Sequence, residues 1–127
     1  MSYTKISLHD VKDGAVDFGV GETQEARFAR EDLRAEGTGL AHHRVKPGRR
    51  QAFGHRHQVA EELHVILSGS GRALIDDETV ELKPMEALRI SPESARIFEA
   101  DDDGLEYVVF GPHHEKDGEV LPDFRAD

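Results

Sequence analysis

The sequence predicts an all-β domain built from short antiparallel strands closed into a sandwich or barrel. Three observations carry this. Turn-forming residues recur at close intervals from residue 38 onward: Pro47-Gly48, Ser68-Gly69-Ser70-Gly71, Asp76-Asp77-Glu78, Lys83-Pro84, Ser91-Pro92, Asp101-Asp102-Asp103-Gly104 and Gly111-Pro112. The runs between them have strand length, and none has a convincing helical period. The chain has 127 residues, 37% of them hydrophobic, which suits one small barrel or sandwich better than a large solid core.

Each element has a local reason. Residues 9 to 24 are rich in Gly and Asp (Asp13-Gly14, Phe18-Gly19-Val20-Gly21) and read as turns around short strands. Glu25 to Glu36 has a composition compatible with helix. However, Ala26-Arg27-Phe28-Ala29-Arg30 alternates like a half-buried strand, and strand is the preferred reading. Strands follow at Leu40 to Lys46, Glu62 to Leu67, Arg72 to Ile75, Thr79 to Leu82, Ala87 to Ile90, Ala95 to Glu99 and Leu105 to Phe110. Asp101 to Gly104 reads as a turn, without the spaced ligands of a calcium loop. The tail, His113 to Asp127, is polar with isolated apolar residues at Val120, Leu121 and Phe124, and is expected to pack over the outside of the barrel.

Composition narrows the function. The chain carries 26 acidic and 16 basic side chains, for a formal net charge of −10. Nucleic acid and anionic membrane both need a basic footprint, so both are excluded as expected partners. There is no cysteine, which removes disulfides, thiolate metal sites and Cys nucleophiles. No apolar run approaches the roughly 20 residues of a membrane span, and no signal-peptide core follows Met1. A cytoplasmic protein is the expectation. No nucleophile constellation and no phosphate-cradling glycine loop is found. The unusual count is eight histidines.

The informative segment is His55-Arg56-His57-Gln58-Val59-Ala60-Glu61-Glu62-Leu63-His64. On an extended strand, His55 and His57 project to one face. A carboxylate arrives after a short turn. Two imidazoles and one carboxylate converging on a point suit Mn, Fe, Ni, Co, Cu or Zn and leave other coordination positions open.

These residues resemble the first motif of the cupin superfamily, over roughly residues 38 to 112. Gly48 is followed by six residues and His55-Arg56-His57. Four residues then precede Glu62, and six more precede Gly69. The resemblance implies one domain over residues 1–127 with a double-stranded β-helix (jelly-roll) core. It selects Glu62 over Glu61 as a ligand beside His55 and His57, on one divalent transition metal ion. It implies a small polar ligand, a homodimer and, if the protein is catalytic, dioxygenase, isomerase or decarboxylase chemistry. The second motif departs from the family pattern. In register, its five positions hold Met85, Ser91, Glu93, Arg96 and Ala100, so Arg96 stands where the fourth ligand would be. A guanidinium has no lone pair for a metal. The alternative is therefore a metal-free binding or sensing barrel with Arg96 as an anion clamp.

Further candidates follow from the period of two. His64 shares the face of Glu62 and is expected to line the cavity, with a catalytic acid–base or orienting role. His43 faces inward with Ala41 and Val45 as a candidate additional ligand, leaving His42 exposed. The resemblance puts Arg96 at an inward position, and Phe98, two residues on, shares its face, so both are substrate-binding candidates. His113 and His114 read as solvated.

Overall fold

The computed structural model describes residues 2–126. Eight strands form one curled antiparallel sheet: β1 (Gln24–Phe28), β2 (Thr38–Val45), β3 (Gly54–His57), β4 (Glu62–Ile75), β5 (Glu78–Leu82), β6 (Ala87–Ile90), β7 (Arg96–Pro112) and β8 (Gly118–Leu121). The path runs β1-β2-β7-β3-β8, and β4 pairs with β5, β6 and β7. The all-β antiparallel expectation holds.

The two longest strands organise the rest. β4 and β7 pair from Leu63↔Phe110 to Ile75↔Arg96, with register shifts at Ile66/Ser68 and Gly69/Gly71. Their far halves serve different neighbours. Leu105 to Pro112 also pairs with β2, whereas Arg96 pairs with His55 of β3. Alternation along β4 and β7 then points Ile66, Phe98, Leu105, Tyr107 and Val109 into a core shared with Val45, Leu82 and Ile90. Burying each such aliphatic or aromatic side chain contributes about 1.5–3 kcal/mol.

Two expected chain reversals prove to be strand. Residues 68–71 lie inside β4 and residues 101–104 inside β7. Ser68, Gly69 and Gly71 pair with Glu106, Leu105 and Ala100, so residues 101–104 bulge at a corner against the glycines. Gly69 has φ +77° and Gly104 φ +80°. A Cβ at Gly69 or Gly71 would overlap the carbonyl oxygen of Gly104 or Glu99. The glycines therefore permit a close backbone crossing inside a strand, a bulge role rather than a hairpin role. Arg72 clamps the corner, with Nη1 3.2 Å from Glu99 Oε1 and Nη2 against Asp101.

The N-terminal region also departs from expectation. Residues 9–23 contain no strand beyond an isolated Asp13↔Arg27 bridge, and β1 begins at Gln24. They form a 3-10 turn (Leu8–Asp10) and one helical turn, α1 (Gly14–Asp17). Asp13 caps α1 by accepting from Ala15 N–H at 3.0 Å, and the same oxygen accepts from Ala26 N–H at 2.9 Å. The cap favours a helical turn over an extended strand. In the 25–36 segment the preferred strand forms over β1, but Arg30–Leu33 makes a second single turn, α2. It ends at Arg34 with φ 59°, which reverses the chain into β2.

Rather than only covering the barrel, the tail extends the sheet. β8 pairs antiparallel with β3, from Gly54↔Leu121 to His57↔Gly118. Its first residues thereby come beside the histidine strand. Among the described residues, no helix is long and apolar enough to cross a membrane.

Candidate metal centre and its cavity

The pleat of β3 places His55 and His57 on one face, their ring centroids 5.2 Å apart and nearly perpendicular. Glu62 opens β4 opposite them. His57 Nε2 lies 3.3 Å and His55 Nε2 3.8 Å from Glu62 Oε1. One ligand atom from each lies within 4.8 Å of the others, the one such group among the described residues. Nitrogen and oxygen ligands sit about 2.0–2.2 Å from a bound ion. Neighbouring ligand atoms around that ion are then about 3.0–3.5 Å apart by geometry. The observed spacings lie at or just above that range, so His55, His57 and Glu62 fit a divalent transition ion with small adjustments.

Electrostatics favour the donor state of the carboxylate. Burial pushes the Glu62 carboxyl up, but the adjoining imidazoles of His55 and His57 outweigh it and hold the group well below the usual range. His57 moves up, chiefly through its contact with Glu62, against burial and the Arg96 charge.

Sequence reasoning missed Asp117, which lies just before β8 and is buried. Its two oxygens accept from the Val59 N–H at 2.8 Å and the Ala60 N–H at 3.0 Å. Oδ2 also lies 3.2 Å from His57 Nδ1. The His57 N–H directions are off-line with both carboxylates, so these are ionic contacts rather than aligned hydrogen bonds. Burial raises the Asp117 carboxyl and the two backbone N–H groups lower it, with a net shift downward. Asp117 thus ties the 58–61 turn to the tail and faces the ring nitrogen of His57 turned away from Glu62. A carboxylate there is what orients a metal-binding imidazole. The only sequence signal was an acid in a polar tail. Its partner is sixty residues away in sequence.

Arg96 is where the motif register places it. It pairs with His55 across the sheet and has 0% exposure. Nη1 donates to Pro92 O at 3.3 Å and Nη2 stands 3.7 Å from Glu62 Oε1, while Nε and Nη2 have no hydrogen-bond partner. Burial lowers its pKa and the Glu62 charge opposes that. Neither Arg96 nor Phe98 lines the cavity. Contact with a ligand was expected of both. Instead Phe98 stacks on Tyr107 at 4.5 Å and packs under His64, and Arg96 reaches the site through Glu62.

His64 and His43 do line the cavity. His64 is buried against Phe98 and Tyr107, and burial pushes its pKa down to about 4. It is therefore a neutral donor and acceptor near pH 7. His43 faces inward as expected, stacked on Tyr107 at 5.2 Å with the Phe28 edge against it, and burial pushes it down to about 3. It stays outside the three-residue cluster. His42, expected to be exposed, is 5% exposed. His9 from the N-terminal segment packs edge-on against it, and its Nε2 lies 2.7 Å from Glu106 Oε2. His114 is exposed, whereas His113 is half-buried, and both stand at the cavity rim. The cavity, about 720 Å³ in volume, opens from this imidazole-rich floor between β1, β2 and the tail.

With this geometry established, comparison with known proteins is informative. No protein-family model matches the chain, and no curated protein matches it. Solved structures do. The chain is similar to a cupin protein from Bacteroides fragilis, with TM-score 0.72 and 24% identity over 91% of this chain and 88% of that one. It is similar to the polyketide cyclase RemF from Streptomyces resistomycificus, with TM-score 0.75 and 20% identity over 94% and 84%. A variant of oxalate decarboxylase from Bacillus subtilis matches with TM-score 0.77 and 22% identity over 98% of this chain, which spans 34% of that enzyme. The fold is the cupin jelly roll.

Proposed function

We propose that the protein holds one divalent transition metal ion on His55, His57 and Glu62 and binds a small oxygen-bearing, anionic ligand beside it. The observation that carries this reading is the convergence of two imidazoles and an ionised carboxylate, spaced as ligands of one ion, on the floor of an open cavity. When bound, the ion supplies Lewis-acid activation of a water, dioxygen or substrate oxygen. The protein's own groups do the rest. Asp117 orients His57, and neutral His64 offers a hydrogen bond to the ligand from the wall. Arg96 adds fixed positive charge behind Glu62, which favours an anionic ligand to balance ion and guanidinium. Dioxygenase, isomerase and decarboxylase chemistry all suit such a site.

A second reading is favoured by Arg96. Its charge, 3.7 Å from Glu62 Oε1, competes with a cation for that carboxylate. In this reading the pocket is metal-free and binds or senses an anion. Elemental analysis of protein purified without chelator or metal-affinity resin separates the two. About one transition ion per chain, lost in His55→Ala and in His57→Ala, supports the metal centre. Metal-free protein, or content unchanged in both variants, supports the binding module.

The proposal includes a cytoplasmic homodimer. Leu63 and Leu67 are 39% and 43% exposed on the outer face of β4, where a second subunit would cover them. Light scattering at micromolar concentration checks this, and a monomer counts against it.

A further inference from the structure

The cavity combines a polar floor with an apolar stretch of wall. Its floor carries the metal-type cluster and the imidazoles of His43 and His64. Phe18, Val20, Phe28, Leu40 and Phe53 supply the apolar part of its wall, which Arg30, Glu31, His113, His114 and Glu119 flank. Alternation on β1 turns Gln24, Ala26 and Phe28 to the cavity side, and the α1 segment brings Phe18 and Val20 across the opening. Phe18 and Phe28 are 73% and 58% exposed, a cost in water that a ligand would relieve. On the floor, His43 Nδ1 and His64 Nδ1 are buried without hydrogen-bond partners. A buried polar atom without a partner calls for a ligand group or a water. A cavity of about 720 Å³ lies within the roughly 300–1,000 Å³ range that encloses ligands of drug size. A two-carbon diacid would leave most of it empty and reach none of the phenylalanines.

We infer that the ligand is an oxygenated aromatic compound. One or two fused rings lie between the phenylalanines, and adjacent oxygen donors point at the cluster and at the imidazoles of His43 and His64. The oxygen-donor end rests on the metal reading proposed above; the aromatic body does not. A ring of the ligand can lie beside Phe28 in the offset or edge-to-face geometry aromatic pairs prefer.

The test is a titration of the full-length protein, metal-free and Mn²⁺-loaded, with 3-hydroxy-2-naphthoate and with oxalate. Both probes chelate through adjacent oxygens, and only the first has a ring body. The naphthoate should bind at least tenfold more tightly than oxalate to the loaded protein. Phe28→Ser, and separately Phe18→Ser, should weaken the naphthoate about fivefold and leave oxalate within twofold. Both positions are exposed, so both variants should fold. If Mn²⁺ does not bind, the metal reading fails by itself. The aromatic body is then still supported if Phe28→Ser weakens the naphthoate in the metal-free protein. Equal affinity for the two probes, or no effect of either variant on the naphthoate, overturns the inference. So does a dimer that Phe28→Ser converts to monomer without changing naphthoate affinity, because the mouth would then be an interface between copies.

Discussion

Four histidines form the floor of one cavity, and they divide into two pairs. His55 and His57 stand within 4 Å of Glu62, and His57 also within 4 Å of Asp117. His43 and His64 lie on Tyr107 and Phe98, and each has a ring nitrogen without a partner. The same side chain is pushed in opposite directions. Carboxylate contact raises His57, whereas burial drops His64 to about 4 and His43 to about 3. Charge partners outweigh desolvation at His57, and nothing does so at His43 or His64. The first pair stands among carboxylates. The second is a neutral, hydrogen-bonding wall. A count of histidines cannot separate these roles; the neighbours across the sheet do.

The aromatic floor under the second pair can be removed. Phe98 is fully buried against His64 and Tyr107. Phe98→Ala should cost about 3–5 kcal/mol of stability by denaturant unfolding. A loss below about 1 kcal/mol would show that the wall is not packed as described. Next in size is the carboxylate behind the first pair. Asp117→Asn keeps shape but removes the charge that faces His57 Nδ1, and it should weaken metal binding about 10–100-fold. Competition against a chelator of known affinity measures this, and unchanged affinity would remove Asp117 from the site.

The pairs should also differ in acid. His43 is neutral when folded, with a pKa of about 3, and returns to its ordinary value of 6.5 when unfolded. A depressed pKa stabilises the fold above 6.5 and loses that contribution as pH falls from 6.5 towards 3. At pH 5 the loss is about 2 kcal/mol. His43→Phe keeps the stack on Tyr107, so its unfolding free energy should fall less than that of the parent between pH 7.5 and pH 5. Parallel curves for the two proteins would show that His43 is not buried in neutral form. The smallest effect expected is at Arg96. Arg96→His places a third imidazole among the first pair and removes a like charge from the ion. Metal affinity should rise about tenfold, or about 1.4 kcal/mol. An unchanged affinity would mean that position 96 does not face the site.

Much of this was readable locally. The pleat alone puts His55 with His57 and His64 with Glu62, because side chains alternate with period two. The strand at Ala87–Ile90 and the inward turn of His43 follow from the same rule. The corner at residues 68–71 and 101–104 was misread because glycine and aspartate signal turns only when nothing else occupies their neighbours. Here two such segments lie against each other, and close backbone approach replaces chain reversal. His42 was misread because its cover comes from His9, which lies outside its own strand and its sheet partners.

By itself the sequence determined the fold class, the His55, His57 and Glu62 cluster and the place of Arg96, because strand period, turn spacing and motif register act over a few residues. Tertiary structure decided which histidines meet carboxylates and which meet aromatic rings. It set the burial of Arg96 beside Glu62 and brought Asp117 to His57 through pairing of β8 with β3. Those outcomes depend on strands distant in sequence, and the pKa of each group follows from the burial and charges that such neighbours create.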